Sequence, residues 1–281
     1  MTRQIRIVHH TGYSYPENVL GSHNEVRMTP RSTREQWVIN SRIDIQPNPW
    51  VLNYTDYWGT RVTAFEISER HSRLGVTSTA TVEVTRPPEV APGVTWDELR
   101  DDTFTDTMTE MLAVSEHVDP GDELCGFARA VAGDASPAET VAAVVERIRD
   151  RVRYVPGVTH VQTRARDVWT AGAGVCQDMV HVAIGALRCV GIPARYVSGY
   201  LMPSANPMPG EPRTAESHAW LQYWDGAWLG LDPTNDSAPG EFHVEVGIGR
   251  DYSDVPPLRG IYSGGGGASE LYVEVEMTVL D

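Results

Sequence analysis

The stretch GAGVCQDMVHVAIGALR, residues 172–188, decides how this chain is read. Its apolar residues Met179, Val180, Val182, Ile184 and Leu187, with Val190 just beyond, run almost all round a helix beginning near Cys176, and such a helix is central and buried. Gly191 and Pro193 stop it. A helix N-terminus leaves backbone N–H groups unpaired and carries the positive end of the dipole, so a sulfur at its first residue is favoured as thiolate, the form that attacks carbon. Gly172 and Gly174 allow a tight turn and close approach of a substrate, and the Cys176 N–H can face a developing oxyanion. Taken alone, the same residues suit a core cysteine at a helix start.

A thiol nucleophile needs a base, and the base an orienting acceptor. Downstream run three strand-like segments, ARYVSGY, SHAWLQYW and AWLGLDP, the second holding His218 and the third ending at Asp232. Turn geometry makes their meeting conditional. A two-residue loop at Asp225 and Gly226 sets the two side chains on opposite faces of the hairpin, whereas a three-residue loop, Trp224 to Gly226 with Gly226 left-handed, sets His218 directly across from Asp232. Cooperation therefore requires that bulge or an equivalent one-residue shift. Read singly, His218 is a strand histidine and Asp232 a turn-starting acid before Pro233.

Upstream, Ser136, Pro137 and Glu139 form a helix start with N-cap, first-turn proline and capping-box acid; Val141, Val144, Val145, Ile148 and Val152 follow at helical spacing, predicting a helix that ends near Tyr154. Before that the chain reads as β-structure. Trp37, Ile39, Ser41, Ile43 and Ile45 alternate with more polar neighbours, as do Val76, Ser78, Ala80, Val82 and Val84. The proline-rich RPPEVAPGVT, residues 86–95, marks a boundary. The expectation is an α+β protein: a β-sandwich-like domain over 1–86, a linker and helical lead-in over 87–135, and a core over 136–281 closed by the strand ELYVEVEMTVL.

Composition narrows the partners. The 281 residues are 41% hydrophobic, enough for a full core, and the net charge of −15 with no basic patch argues against nucleic acid or an anionic membrane. All 23 basic residues are arginine. No apolar run reaches the ~18 residues of a membrane span, and MTRQIRIVHHTGYSYPEN lacks the apolar core of a signal peptide, so the expected address is cytoplasmic. Cys125, Cys176 and Cys189 show no C-x-x-C spacing and are expected to be reduced, Cys125 and Cys189 as small core residues. Without H-E-x-x-H or clustered histidines, no metal and no cofactor are expected. His181, five residues after Cys176, lies on another part of the helix surface and reads as a buried histidine.

The segments GAGVCQDMVHVAIGALRCVGIPARYVSGY, SHAWLQYW and LDPTND closely resemble the transglutaminase-like superfamily, in particular its bacterial branch of predicted cysteine proteases. RMTPRSTREQWV and YWGTRVTAFEI look like the amino-terminal β-domain of that branch, and GRDYSDVPPLRG like its carboxy-terminal signature. The resemblance implies a papain-like α+β core, Cys176 as nucleophile, His218 as general base then acid, and Asp232 as the residue orienting the imidazole. It also implies acyl transfer through a thioester on a peptide or protein amide, without an essential metal. Candidates for the remaining oxyanion donor or the cleft wall are Tyr154, Trp169, Gln177, Tyr252 and Asp254, with aromatic core packing the competing reading of Tyr154 and Trp169. Asp178 complements the helix start. Hydrolysis of a peptide or isopeptide bond, amine transfer by the same triad, and a non-catalytic peptide-binding module are three functions compatible with the residues.

Overall fold

Strand β1 (Thr2–Val26) runs through the whole β-structure, and its two halves belong to different layers. In the computed structural model, which describes residues 2–87, 91–204 and 206–281, it is followed by β2 (Gln36–Gln46), β3 (Trp50–Thr55), β4 (Arg61–Ile67) and β5 (His71–Thr85). Residues 2–14 of β1 pair with β5, which in turn pairs with β2; residues 22–26 pair with β4, which pairs with β3. The two arms pack against each other through Phe65 and Ile67 on one side and Leu74, Val76, Ile43 and Ile45 on the other.

The alternation over Val76, Ser78, Ala80, Val82 and Val84 is an inward face, all five being buried. Over β2 the expected face holds for Ser41, Ile43 and Ile45 only. Ile39 is an extra residue between Val38, opposite Val82, and Asn40, opposite Thr81, so the strand changes phase there. Trp37 and Ile39 consequently face solvent, 64% and 47% exposed, and Val38 turns inward instead. Three residues of the proline-rich stretch, 88–90, lie outside the described residues.

The helical part comprises α1 (Trp96–Leu99), α2 (Asp102–Thr107), α3 (Thr109–Leu112), α4 (Gly121–Asp134), α5 (Pro137–Arg151), α6 (Ala165–Ala171) and α7 (Cys176–Cys189), with the two-residue strands β6 (Arg153–Tyr154) and β7 (Ala173–Gly174). The Ser136–Glu139 capping box opens α5, and Val141, Val144, Val145 and Ile148 bury its inner face. Helix α7 is the axis of this layer: α4, α5 and α6 surround it, and from Asp178 to Arg188 every residue is buried. The buried Arg188 guanidinium donates to the carbonyls of Ala113, Ala194 and Arg250, fixing the far end of α7 to three separate segments.

Strands β8 (Ala194–Leu201), β9 (Arg213–Trp224), β10 (Trp228–Leu231) and β11 (His243–Gly249) form the antiparallel sheet beneath α7. Strands β12 (Leu258–Gly264) and β13 (Glu270–Val279) return to β1, and β13 also pairs with β9, joining both halves of the molecule into one curled sheet. No helix among the described residues is long and apolar enough to cross a membrane.

Cys125 and Cys189 are not the reduced core residues expected from sequence. Cys125 on α4 and Cys189 at the end of α7 form a disulfide with Cα atoms 5.8 Å apart, leaving Cys176 as the free thiol. Spacing could not reveal it, because the two residues are 64 apart and meet only through the packing of α4 on α7. Closing a loop of that length restricts the unfolded chain by about 4 kcal/mol. Reduction, with Cys176 blocked beforehand, is therefore expected to lower the urea midpoint and leave the native spectrum unchanged; identical midpoints would contradict the crosslink.

Candidate functional site

Cys176 is the first residue of α7 and half-buried. Two glycines position it. Gly172 closes α6 in the left-handed conformation, φ 65°, and at Gly174 a Cβ would lie 2.8 Å from Asp178, so only hydrogen fits. Asp178, fully buried, accepts from the Val175 N–H at 2.8 Å and the Thr159 hydroxyl at 2.6 Å. It thus caps the helix start and ties down the loop whose Pro156, Gly157 and Val161 line the same cavity as Cys176. Burial raises its carboxyl pKa against these hydrogen bonds. The parallel pairing of Tyr154 with Gly174 sets the Tyr154 ring beside the same sulfur.

His218 projects from β9 opposite Gly199 of β8, and the Gly199 position has no room for a side chain because Trp220 lies 2.6 Å from where a Cβ would stand. The hairpin places its three-residue loop at Asp225 to Ala227, with Gly226 left-handed at φ 80°, and pairs Trp224 with Trp228. The loop is one residue later than the bulge expected from sequence. Since Leu221 faces Leu231, Asp232 follows on the row of Trp220, two residues from His218 and on the same side of the hairpin. His218 Nε2 meets Asp232 Oδ2 at 2.7 Å, a diagonal contact rather than one directly across.

Asp232 is fully buried and collects donors from four residues. Oδ1 accepts from the N–H groups of Thr234 (3.0 Å) and Asn235 (3.2 Å); Oδ2 accepts from Asn235 Nδ2 (2.7 Å), His218 Nε2 and His243 Nε2 (3.3 Å). The Gly240 N–H donates to His243 Nδ1, which leaves Nε2 of the neutral ring as the donor toward Asp232. Burial alone would raise the Asp232 pKa, but bonds from His218, His243 and Asn235 hold it well below the usual carboxylate range. For His218, burial pulls the pKa down; hydrogen bonding and charge from Asp232 and Cys176 outweigh it and push it up to about 9. Burial lowers the pKa of His243.

His218, Asp232 and His243 gather their polar atoms within 4.8 Å, a possible metal-binding set. The 2.7 Å separation of His218 Nε2 and Asp232 Oδ2 is a hydrogen-bond length, shorter than the ~3.3 Å between ligands on a tetrahedral ion with ~2.0 Å bonds.

Cys176 and His218 line one cleft of about 400 Å³, walled by Tyr154, Tyr196, Tyr252 and the β13 residues Val273 and Val275. Of the candidates read from sequence, Tyr154, Gln177 and Tyr252 line it and two do not. Trp169 is buried in the helical core with the Arg151 guanidinium 4.5 Å over its ring. Asp254 turns away into a two-pronged pair with Arg250. His181 is buried as expected; its Nε2 accepts from the Tyr252 N–H at 3.2 Å and so holds that cleft residue. Sequence reading missed His243, Asn235 and Tyr196. The Asp-Pro-Thr-Asn order of a turn in which Asp accepts from following N–H groups was the available signal for Asn235; nothing local marks His243.

Comparison with known proteins places the chain in a family. Residues 5–83 match the Bacterial transglutaminase-like N-terminal region family, and residues 126–233 the Transglutaminase-like superfamily. An uncharacterised protein of Mycobacterium leprae is 40% identical over 99% of both chains, and one of Mycobacterium tuberculosis is 32% identical over all of this chain and 91% of its own. A protein-glutamine gamma-glutamyltransferase of Pseudomonas aeruginosa is 32% identical over 37% of this chain and 17% of its own length. In fold, the chain superposes over its whole length on 93% of a candidate cysteine protease from Cytophaga hutchinsonii, with TM-score 0.76 and 23% identity. The chain belongs to the transglutaminase-like superfamily, with the bacterial N-terminal region of that group preceding its core.

Proposed function

We propose that the protein is a thiol acyltransferase that cleaves peptide or isopeptide amides through a thioester on Cys176. The observation that carries this reading is the imidazole of His218, hydrogen-bonded to the buried Asp232 carboxylate and lining one cleft with the free thiol. The sulfur, as thiolate, adds to the amide carbon. The Cys176 N–H is suited to bind the developing oxyanion. As the C–N bond breaks, the His218 proton passes to the leaving nitrogen, releasing an amine or ammonia. Water then gives a proton to His218 and its hydroxide adds to the thioester carbon; the C–S bond breaks, releasing a carboxylic acid and restoring the thiolate beside the protonated His218.

An amine in place of water yields a new amide from the same thioester. The transferase name of the Pseudomonas relative supports keeping this route, and family membership supports a protein substrate. Partition is read by mass spectrometry of products formed with and without an added alkylamine.

The disulfide leaves one thiol to react, so labelling is unambiguous. Iodoacetamide at pH 6–7 is expected to alkylate Cys176 at least about tenfold faster than glutathione, and His218→Ala to abolish the difference. A wild-type rate no higher than that of glutathione defeats the enzyme reading and favours a binding module. Cys176→Ala should remove activity while keeping the fold.

The raised His218 pKa fixes the sign of a pH effect. The folded state holds this proton more tightly than the unfolded state, so the stabilisation is complete below about pH 6.5 and is lost as pH rises through about 9. Wild-type melting temperature should fall more steeply between pH 7 and 9.5 than that of His218→Gln; parallel curves would mean an imidazole already neutral. Replacing His243 with Phe takes one donor from a buried carboxylate and is expected to cost about 1–3 kcal/mol in urea unfolding. It should also shift the alkaline limb of activity, which a purely structural role for His243 would leave in place.

A further inference from the structure

A second cavity, about 290 Å³, adjoins the cleft and shares with it Tyr154, Ala215, Glu216, Ser217 and His218. Leu201, Pro203 and Thr214 complete its lining, and Cys176 is not part of it. On the acyl-transfer reading above, the sulfur holds the acyl group while the imidazole delivers a proton to the departing nitrogen. On that reading, the space lined by His218 but not by Cys176 is available to the amine portion of a substrate.

Glu216 stands at the junction of the two cavities, exposed, two residues before His218 on β9 and thus projecting to the same side of the strand. It is the one carboxylate lining either cavity, no arginine lines them, and among the described residues it has no ion-pair partner. Its negative charge acts on the Tyr154 phenol across the junction, whose pKa is raised by burial first and then by Cys176 and Glu216. We propose that Glu216 is a specificity residue that selects substrates bearing a guanidinium or ammonium group on the amine side of the scissile bond.

This inference rests on the proposed acyl transfer, and the test separates the two. Methanethiosulfonates ending in trimethylammonium or in sulfonate modify the single free thiol without turnover, and the rates are followed by protein mass. The cationic reagent is expected to react faster with the wild type, and Glu216→Gln to reduce the cation-to-anion rate ratio about threefold to fivefold, the strength of a partly exposed charge pair. Glu216→Arg should lower the ratio further. Peptide amides with arginine or citrulline immediately after the scissile bond should show a matching drop in their kcat/KM ratio in Glu216→Gln. A reagent ratio and a peptide ratio both indifferent to Glu216→Gln overturn the assignment. A reagent ratio that falls while the wild type turns over no amide leaves charge selection standing and overturns the acyl-transfer reading.

Discussion

The site depends on a carboxylate taken wholly out of water. An ionised Asp232 in the interior is tolerable only because five hydrogen bonds converge on its two oxygens, two of them from the turn it begins and three from side chains. That demand organises its surroundings. The turn must follow Asp232 directly, Asn235 must fold back, and His243 must arrive on β11 with its other nitrogen already occupied by Gly240. What remains is one strong acceptor position, which the His218 ring fills. The charge that holds the imidazole proton and the geometry that aims the ring have the same source.

Around this hub the fold is a set of constraints on distance. Helix α7 is held at its start by Asp178 and at its end by Arg188 and the Cys125–Cys189 bond, so its first residue has little freedom to drift from β9. The β8–β9 pair leaves Gly199 empty so that Trp220 can lie beneath the histidines, with its ring 6.2 Å from that of His218 and 5.3 Å from that of His243. Rigidity here keeps the thiol and the imidazole in one relative placement, which the proposed acyl transfer requires.

Local patterns carried much of this. The capping box at Ser136, the all-round apolarity of α7 and the inward run along β5 are each written in a few consecutive residues, and each forms as read. The parity that brings His218 and Asp232 together is left open by the sequence between two loop lengths; the hairpin has the three-residue loop, one residue later than the bulge expected from sequence. Features set by distant packing were not legible. The bulge at Ile39 reverses a strand face without any composition signal, the disulfide joins helices that meet only in three dimensions, and His243 reaches Asp232 from a strand whose own sequence gives no hint of the contact. Trp169 and Asp254 show the converse: residue types suited to a cleft, spent on an arginine stack and an ion pair.

Strand β13 has a consequence of a different kind. Val273 and Val275, which wall the cleft, are synthesised nearly a hundred positions after Cys176, on a strand that must insert between β1 and β9. During translation the sulfur and its imidazole therefore emerge from the ribosome well before the surface that would grip a ligand. The growing polypeptide passes through a stage in which it carries the Cys176 thiol and the His218 ring but lacks the β13 wall of the cleft.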